Sequence, residues 1–175
     1  MIKKILLGVV VVVVAVLAYA ATKPDAFMVE RSTTIKAPPE KIFALIDDFH
    51  NWSSWSPWDK LDPAMTRTHS GAASGKGAVY EWTGNSKVGT GRMEITDSSP
   101  TSRVGIKLDF LKPFEAHNVA EFTVAPVGDS TKVTWTMRGP SPYMAKVMSV
   151  FASMDRMVGG DFETGLANLK RTAEQ

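Results

Sequence analysis

Apolar residues return along this chain with three different periods, and each predicts a different kind of element. From Ile5 to Ala21 no charge interrupts the run. From Met28 to Gly139 short stretches alternate apolar and polar residues, the period-two signature of strands. From Pro142 onward apolar residues return every third or fourth position, the signature of an amphipathic helix.

The first run, "ILLGVVVVVVAVLAYAA", follows Lys3 and Lys4. Its seventeen residues, at about 1.5 Å each, sit at the lower edge of what crosses a ~30 Å hydrocarbon layer. No polar face is present, which excludes a buried core helix. Two readings remain open. One is an uncleaved signal anchor, a single-pass membrane helix. The other is a signal peptide cleaved after Ala20, with Ala18-Tyr19-Ala20 as the processing site, leaving a secreted domain. In both, the lysines stay in the cytoplasm and the domain lies on the non-cytoplasmic side, periplasmic or extracellular. Residues 1–22 thus form the anchor or signal segment, 23–27 a linker, and 28–172 the folded domain.

Within the domain, "MVERSTTI" (28–35) predicts a strand. "APPEKIFALIDD" predicts a short helix, with Pro38 and Pro39 suited to its start and Ile42, Phe43, Leu45 and Ile46 on one face. Phe49 to Trp58 predicts one or two helical turns ended by Pro57. Strands follow: a weak "AMTRTHS", then "AVYEWT", "GTGRMEITDSS", "SRVGIKLDF", "EAHNVAEFTVAP" and "STKVTWTMRG". The fourth of these alternates strictly, with Val104, Ile106, Leu108 and Phe110 on one face and Arg103, Lys107 and Asp109 on the other. Met144, Met148, Phe151, Met154, Val158, Phe162, Leu166 and Leu169 then trace one stripe of a single long helix. Gly159-Gly160 interrupts it. The pair is either a tolerated weakness or a place where the helix bends or its backbone approaches the sheet. Strands in sequence closed by a helix predict an α+β domain: a strongly curved antiparallel sheet on one long helix, with a cavity between them.

Composition narrows the function. Hydrophobic residues are 44% and charged residues 22%, ordinary for a folded domain. There is no cysteine, so thiol nucleophiles and thiolate metal sites are excluded. Of 20 basic residues, Lys3, Lys4 and Lys23 flank the first run; the other 17 face 18 acidic ones. The domain is near neutral, without the basic footprint of nucleic-acid binding.

Candidate chemistry is sparse. "GAASGKG" has three residues between its first two outer glycines and precedes a strand, so it is not a phosphate loop. His50, His69 and His117 have no ligand spacing, and His117 shares parity with Glu115 and Glu121, facing water. No cofactor or metal is indicated, and no nucleophile motif is present. The inward parity set comprises Tyr80, Trp82, Met93, Ile95, Ile106, Leu108, Phe110, Asn118, Ala120, Phe122, Trp135 and Met137. Its only polar groups are the Tyr80 hydroxyl and the Asn118 amide, the latter either an orienting donor or a satisfied buried amide. Such a lining binds apolar surface rather than moving protons. Met144, Met148 and Phe151 extend the candidate wall along the helix, since methionine adapts to irregular apolar ligands, although ordinary core packing accounts for them equally.

Trp52, Trp55 and Trp58 recur at steps of three in "NWSSWSPW". Four roles are open: packing under the short helices, gating the pocket (with Trp55 as a wall residue), contact with the membrane interface, and stacking on a sugar.

The order of a strand, "APPEKIF", then "FHNWSSWSPW", with "VGGDFETGLANLK" near the end, resembles the SRPBCC or START-like superfamily, and within it the polyketide cyclase/dehydrase and lipid-transport branch. The resemblance covers 28–172. It implies the helix-grip fold, a seven-stranded antiparallel sheet gripping the C-terminal helix around a hydrophobic pocket. It also implies ligands such as lipids, sterols or polyketides. The expected function is a membrane-tethered domain binding a small hydrophobic molecule or lipid. The alternatives are a cyclase or dehydratase using Tyr80 or another acid, and an anchored interaction module with no ligand.

Overall fold

In the computed structural model, which describes residues 1–175, the alternating stretches form one seven-stranded antiparallel sheet. The strands are β1 (Ala26–Ile35), β2 (Thr66–Gly71), β3 (Ala78–Thr83), β4 (Thr90–Ser99), β5 (Arg103–Lys112), β6 (Ala116–Val127) and β7 (Ser130–Pro140). Their spatial order is β1-β7-β6-β5-β4-β3-β2. Strands β2 to β7 are a meander, and β1 crosses to pair with β7 over its whole length, Ala26 opposite Pro140 and Ile35 opposite Thr131. The expected weak strand is β2, a short and exposed edge strand. "GAASGKG" is part of the β2–β3 connection, where Gly71, Gly75 and Gly77 take φ of +74°, +68° and +89°.

The helices are α1 (Ile2–Ala21), α2 (Pro39–Asp47), α3 (Tyr143–Ser149) and α4 (Met154–Ala173). α1 is long and apolar enough to cross a membrane. It is exposed along its length except at Val16, which is half-buried, and Ala20, which is buried against the domain. The single C-terminal helix expected from the apolar stripe is two. Met148, Phe151 and Met154 keep a step of three, so periodicity continues across the interruption. Backbone chemistry does not: Ser153 is extended, with ψ 154°, and its hydroxyl accepts a hydrogen bond from the Arg156 N–H, capping a new helix.

α4 lies across the concave face of the sheet and buries Phe162, Leu166, Leu169 and Ala173. Gly159 answers the question its sequence posed. The Arg31 guanidinium from β1 lies over it, so near that a Cβ on Gly159 would meet Arg31 Nη2 at 2.2 Å. Arg31 bonds Asp155 and Glu163, one turn before and one turn after, each at 2.7 Å. These carboxylates raise the Arg31 pKa, and the guanidinium holds the Asp155 carboxyl below its usual range. Gly160 meets nothing within 4 Å and is a tolerated weakness.

The tryptophan segment is fixed by the end of α2. The last four carbonyls of a helix have no partner within it, and here each has one from elsewhere. Asn51 Nδ2 donates to Ala44 O at 3.0 Å, Trp55 Nε1 to Leu45 O at 3.0 Å, Trp52 Nε1 to Ile46 O at 2.9 Å, and the Gly75 N–H to Asp47 O at 2.9 Å. Asn168 on α4 donates to Trp55 O at 3.1 Å. The tryptophan segment and the C-terminal half of α4 thereby meet in space.

Candidate functional site

Between α4 and the five strands β3 to β7 lies a cavity of about 330 Å³. Its floor is Tyr80 and Trp82 from β3, Met93 from β4, Leu108 and Phe110 from β5, Ala120 from β6, and Trp135 and Met137 from β7. α4 covers it with Met157, Val158, Asp161 and Phe162. The remaining wall comes from Trp52, Ser56, Trp58, Asp59, Met65, Lys87 and Val88. Fifteen of these nineteen residues are hydrophobic, which makes the cavity a solvent for apolar groups. Lys87 and Met157 both line it and are both exposed, so they mark its rim.

Close packing sets its shape. Trp82 pairs with Gly91 across β3 and β4, and a Cβ on Gly91 would stand 2.3 Å from the indole ring. The missing side chain lets the ring lie flat over the neighbouring strand. Trp82 Nε1 then donates to Val88 O at 3.0 Å. Trp135 is stacked between Phe162, at 4.1 Å and 12°, and Phe122, at 4.8 Å and 28°. Gly165 makes that approach possible, because a Cβ there would meet the Trp135 ring at 2.8 Å and Pro57 at 3.2 Å. The indole N–H of Trp135 is buried and has no hydrogen-bond partner.

The polar groups are few and distinct. Asp59 pairs with Arg67 at 2.9 Å beside Tyr80. Burial, with Asp59 adding to it against Arg67, pushes the Tyr80 phenol up to about 12, so it stays protonated at neutral pH. Asp161 has no cation beside it, and burial alone raises its pKa.

Of the candidate pocket residues, the structure brings Tyr80, Trp82, Met93, Leu108, Phe110, Trp135 and Met137 together around the cavity. It places six elsewhere. Trp55 is fully buried behind the wall, edge-on to Phe122 and Trp135. Ile106 is fully buried in the core. Asn118 is buried against Gly139, where a Cβ would come within 2.0 Å of its Oδ1. Met144, Met148 and Phe151 are 69%, 60% and 71% exposed, because the break before Ser153 carries them off the helix that covers the cavity.

An inward set with only Tyr80 and Asn118 as polar groups also needs correction. It considered strands alone, whereas the titratable side chains enter from other elements. Asp161 comes from α4, Asp59 from the turn Trp58–Lys60 and Lys87 from the β3–β4 loop. The signal for Asp161 was present: it lies between Val158 and Phe162 on the apolar stripe, where a carboxylate is out of place. His117 is exposed, as its parity indicated, and bonds Asp109 at 2.7 Å. His50 stacks on His69 at 4.2 Å, outside the cavity.

Residues 26–174 match the family described as polyketide cyclase/dehydrase and lipid transport, and the chain belongs to it. Solved structures agree in fold at low identity. The two-domain aromatase/cyclase StfQ of the steffimycin biosynthetic pathway is 10% identical, with a TM-score of 0.62 over 85% of this chain and 51% of that one. The XoxI protein of Bacillus cereus is 17% identical, TM-score 0.60, covering 83% and 94%. Protein CV1439 of Chromobacterium violaceum is 14% identical, TM-score 0.59, covering 87% and 99%. No functionally curated protein matches the chain by sequence.

Proposed function

We propose that this member of the family encloses a small apolar molecule, or one apolar segment of a lipid, between the sheet and α4, and that α1 holds the domain on a membrane. The observation that carries the binding reading is the composition of the cavity: fifteen of nineteen lining residues are hydrophobic around about 330 Å³. A water molecule's share of liquid volume is roughly 30 Å³. The space therefore takes on the order of ten methylene-sized units, such as a fused ring pair or part of an acyl chain. A whole phospholipid exceeds it, so its headgroup would stay outside the rim at Lys87 and Met157. The tether rests on the length and apolarity of α1.

Native mass spectrometry of the full chain, released from nanodiscs of bacterial lipid, tests this. A stoichiometric apolar adduct, lost when Met137→Trp fills the cavity, is expected. A bare chain mass, with no uptake of fatty acid or aromatic polyketide offered afterwards, would refute it.

One observation favours a second reading, a cyclase or dehydratase. Asp161 lines the same apolar cavity as Tyr80 and its carboxyl pKa is raised by burial, the environment a general acid or base requires. Turnover abolished by Asp161→Asn, with the fold intact, would establish it over simple binding.

A further inference from the structure

The fourteen residues from Pro140 to Ser153 contain one charged side chain, Lys146. Lys146 does not face water. It is buried and bonded to Asp25, just after α1, at 2.5 Å. With that charge turned inward, the outer face of α3 and the turn after it presents Met144, Met148 and Phe151, all well exposed. These positions, i, i+4 and i+7, form one continuous stripe.

α3 is also fastened to α1. Tyr143 donates its hydroxyl to the Leu17 carbonyl at 3.0 Å, and Ala20 is buried at the same junction. Leu17 lies four residues before the end of α1, about 6 Å along the axis. If α1 spans a bilayer, this bond sets α3 at the depth where hydrocarbon gives way to headgroups. Tyr19 and Tyr143, both half-exposed, sit at that level, where tyrosine concentrates.

We propose that the Met144–Met148–Phe151 face is a membrane-embedded foot, which inserts into the outer boundary of the bilayer that α1 crosses. The occupant is lipid, for three reasons on the molecule itself. The face is continuous with the span, it carries no charge, and the one cation on its own helix, Lys146, is sequestered. Met157, exposed at the cavity rim, follows Phe151 by six residues, one turn into α4. The foot thereby turns the rim toward the lipid from which an apolar molecule would enter. This proposal rests on the tether reading of α1.

The chain has no cysteine, so single-cysteine variants of the full protein label cleanly. Met148→Cys and Phe151→Cys alter exposed side chains only. They would carry an environment-sensitive fluorophore in vesicles of phosphatidylcholine and phosphatidylglycerol, with and without doxyl-labelled phosphatidylcholine. Val12→Cys reports on the span. Asp129→Cys reports on the opposite end of β7, about 33 Å away along the strand. Quenching by doxyl lipid at 12, 148 and 151 but not at 129 is the expected result. Quenching at 12 alone overturns the foot and leaves the tether standing. Blue-shifted but unquenched labels at 148 and 151 mean that another protein chain covers the face, which also overturns it. An unquenched label at 12 removes the tether and the foot together.

Discussion

Trp55 donates its indole N–H to the backbone carbonyl of Leu45 at 3.0 Å, from a side chain with no exposed surface. Trp52 does the same for Ile46 at 2.9 Å. The two rings therefore terminate α2 and pack the core at once. Trp55→Phe keeps most of the ring but orphans a buried carbonyl, an expected loss of about 1–3 kcal/mol. Trp55→Ala adds a cavity, for about 3–5 kcal/mol in all. Urea unfolding of both variants checks this. Trp58 is half-buried, lines the cavity and stands edge-on to Trp135 and Phe162. Trp58→Ala should lose less stability than Trp55→Ala and should weaken uptake of an apolar ligand more.

Three glycines of α4 should respond to alanine in different ways. Gly160 faces open space, so Gly160→Ala should stabilise by about 0.5–1 kcal/mol through helix propensity. At Gly165 the same gain is opposed by the Trp135 ring and Pro57, both held by packing, and overpacking of this kind costs about 1–3 kcal/mol. Gly159→Ala meets the end of a flexible arginine and should fall between the two, with the Arg31 pairs to Asp155 and Glu163 weakened. Denaturant midpoints at constant m-value would order the three.

The sheet was legible in the sequence because its strands alternate with few exceptions and one face is buried, so parity alone separates Ile106 and Leu108 from Lys107. Seven of the eight strand-borne apolar candidates chosen by the same parity line the cavity. Ile106 did not, since parity gives the face and not the distance from a void. The break between α3 and α4 was missed because apolar spacing survives it. Only the cap at Ser153, with Asp155 in the first helical turn, distinguishes two helices from one. Asp161 was missed because the wall was read strand by strand, and a helix supplies it. The roles of Gly165 and Asn168 depend on Pro57 and Trp55, about 110 residues earlier, contacts no local pattern encodes.

On the outer face of the sheet, His117 and Asp109 form a pH-sensitive pair. The Asp109 bond raises the His117 pKa, with Glu115 adding to it. Burial pushes Asp109 up, but His117 and Lys107 outweigh it and hold the carboxyl below its ordinary value. The raised histidine gives stability that is complete below about pH 6.5 and is lost as pH rises through its folded value. The lowered carboxyl gives stability that is present above about pH 4 and is lost as pH falls. The pair therefore supports the fold most between those limits. His117→Gln should flatten the decline of Tm above about pH 6.5 while leaving ligand uptake unchanged, since neither residue lines the cavity.

Asp161 is shifted in the direction opposite to Asp109. Its carboxyl pKa is raised by burial without a compensating cation, so between the ordinary and the raised value the folded state binds more proton than the unfolded chain. Stability then falls as pH rises from the ordinary carboxyl value, near 3.8, through the raised one. Asp161→Asn should remove this slope, leaving the variant more stable than the wild type at neutral pH and not at about pH 3. A ligand adds to the effect. An apolar molecule in the cavity displaces water from the carboxyl and raises its pKa further, so by linkage the ligand binds more tightly as pH falls. A neutral fluorophore such as N-phenylnaphthylamine should show this trend with the wild type and a flat profile with Asp161→Asn. Affinity that is independent of pH in both proteins would mean that the carboxyl keeps its water in the complex. The site would then be a carrier's pocket with a polar rim, and Asp161 would have no part in what the cavity holds.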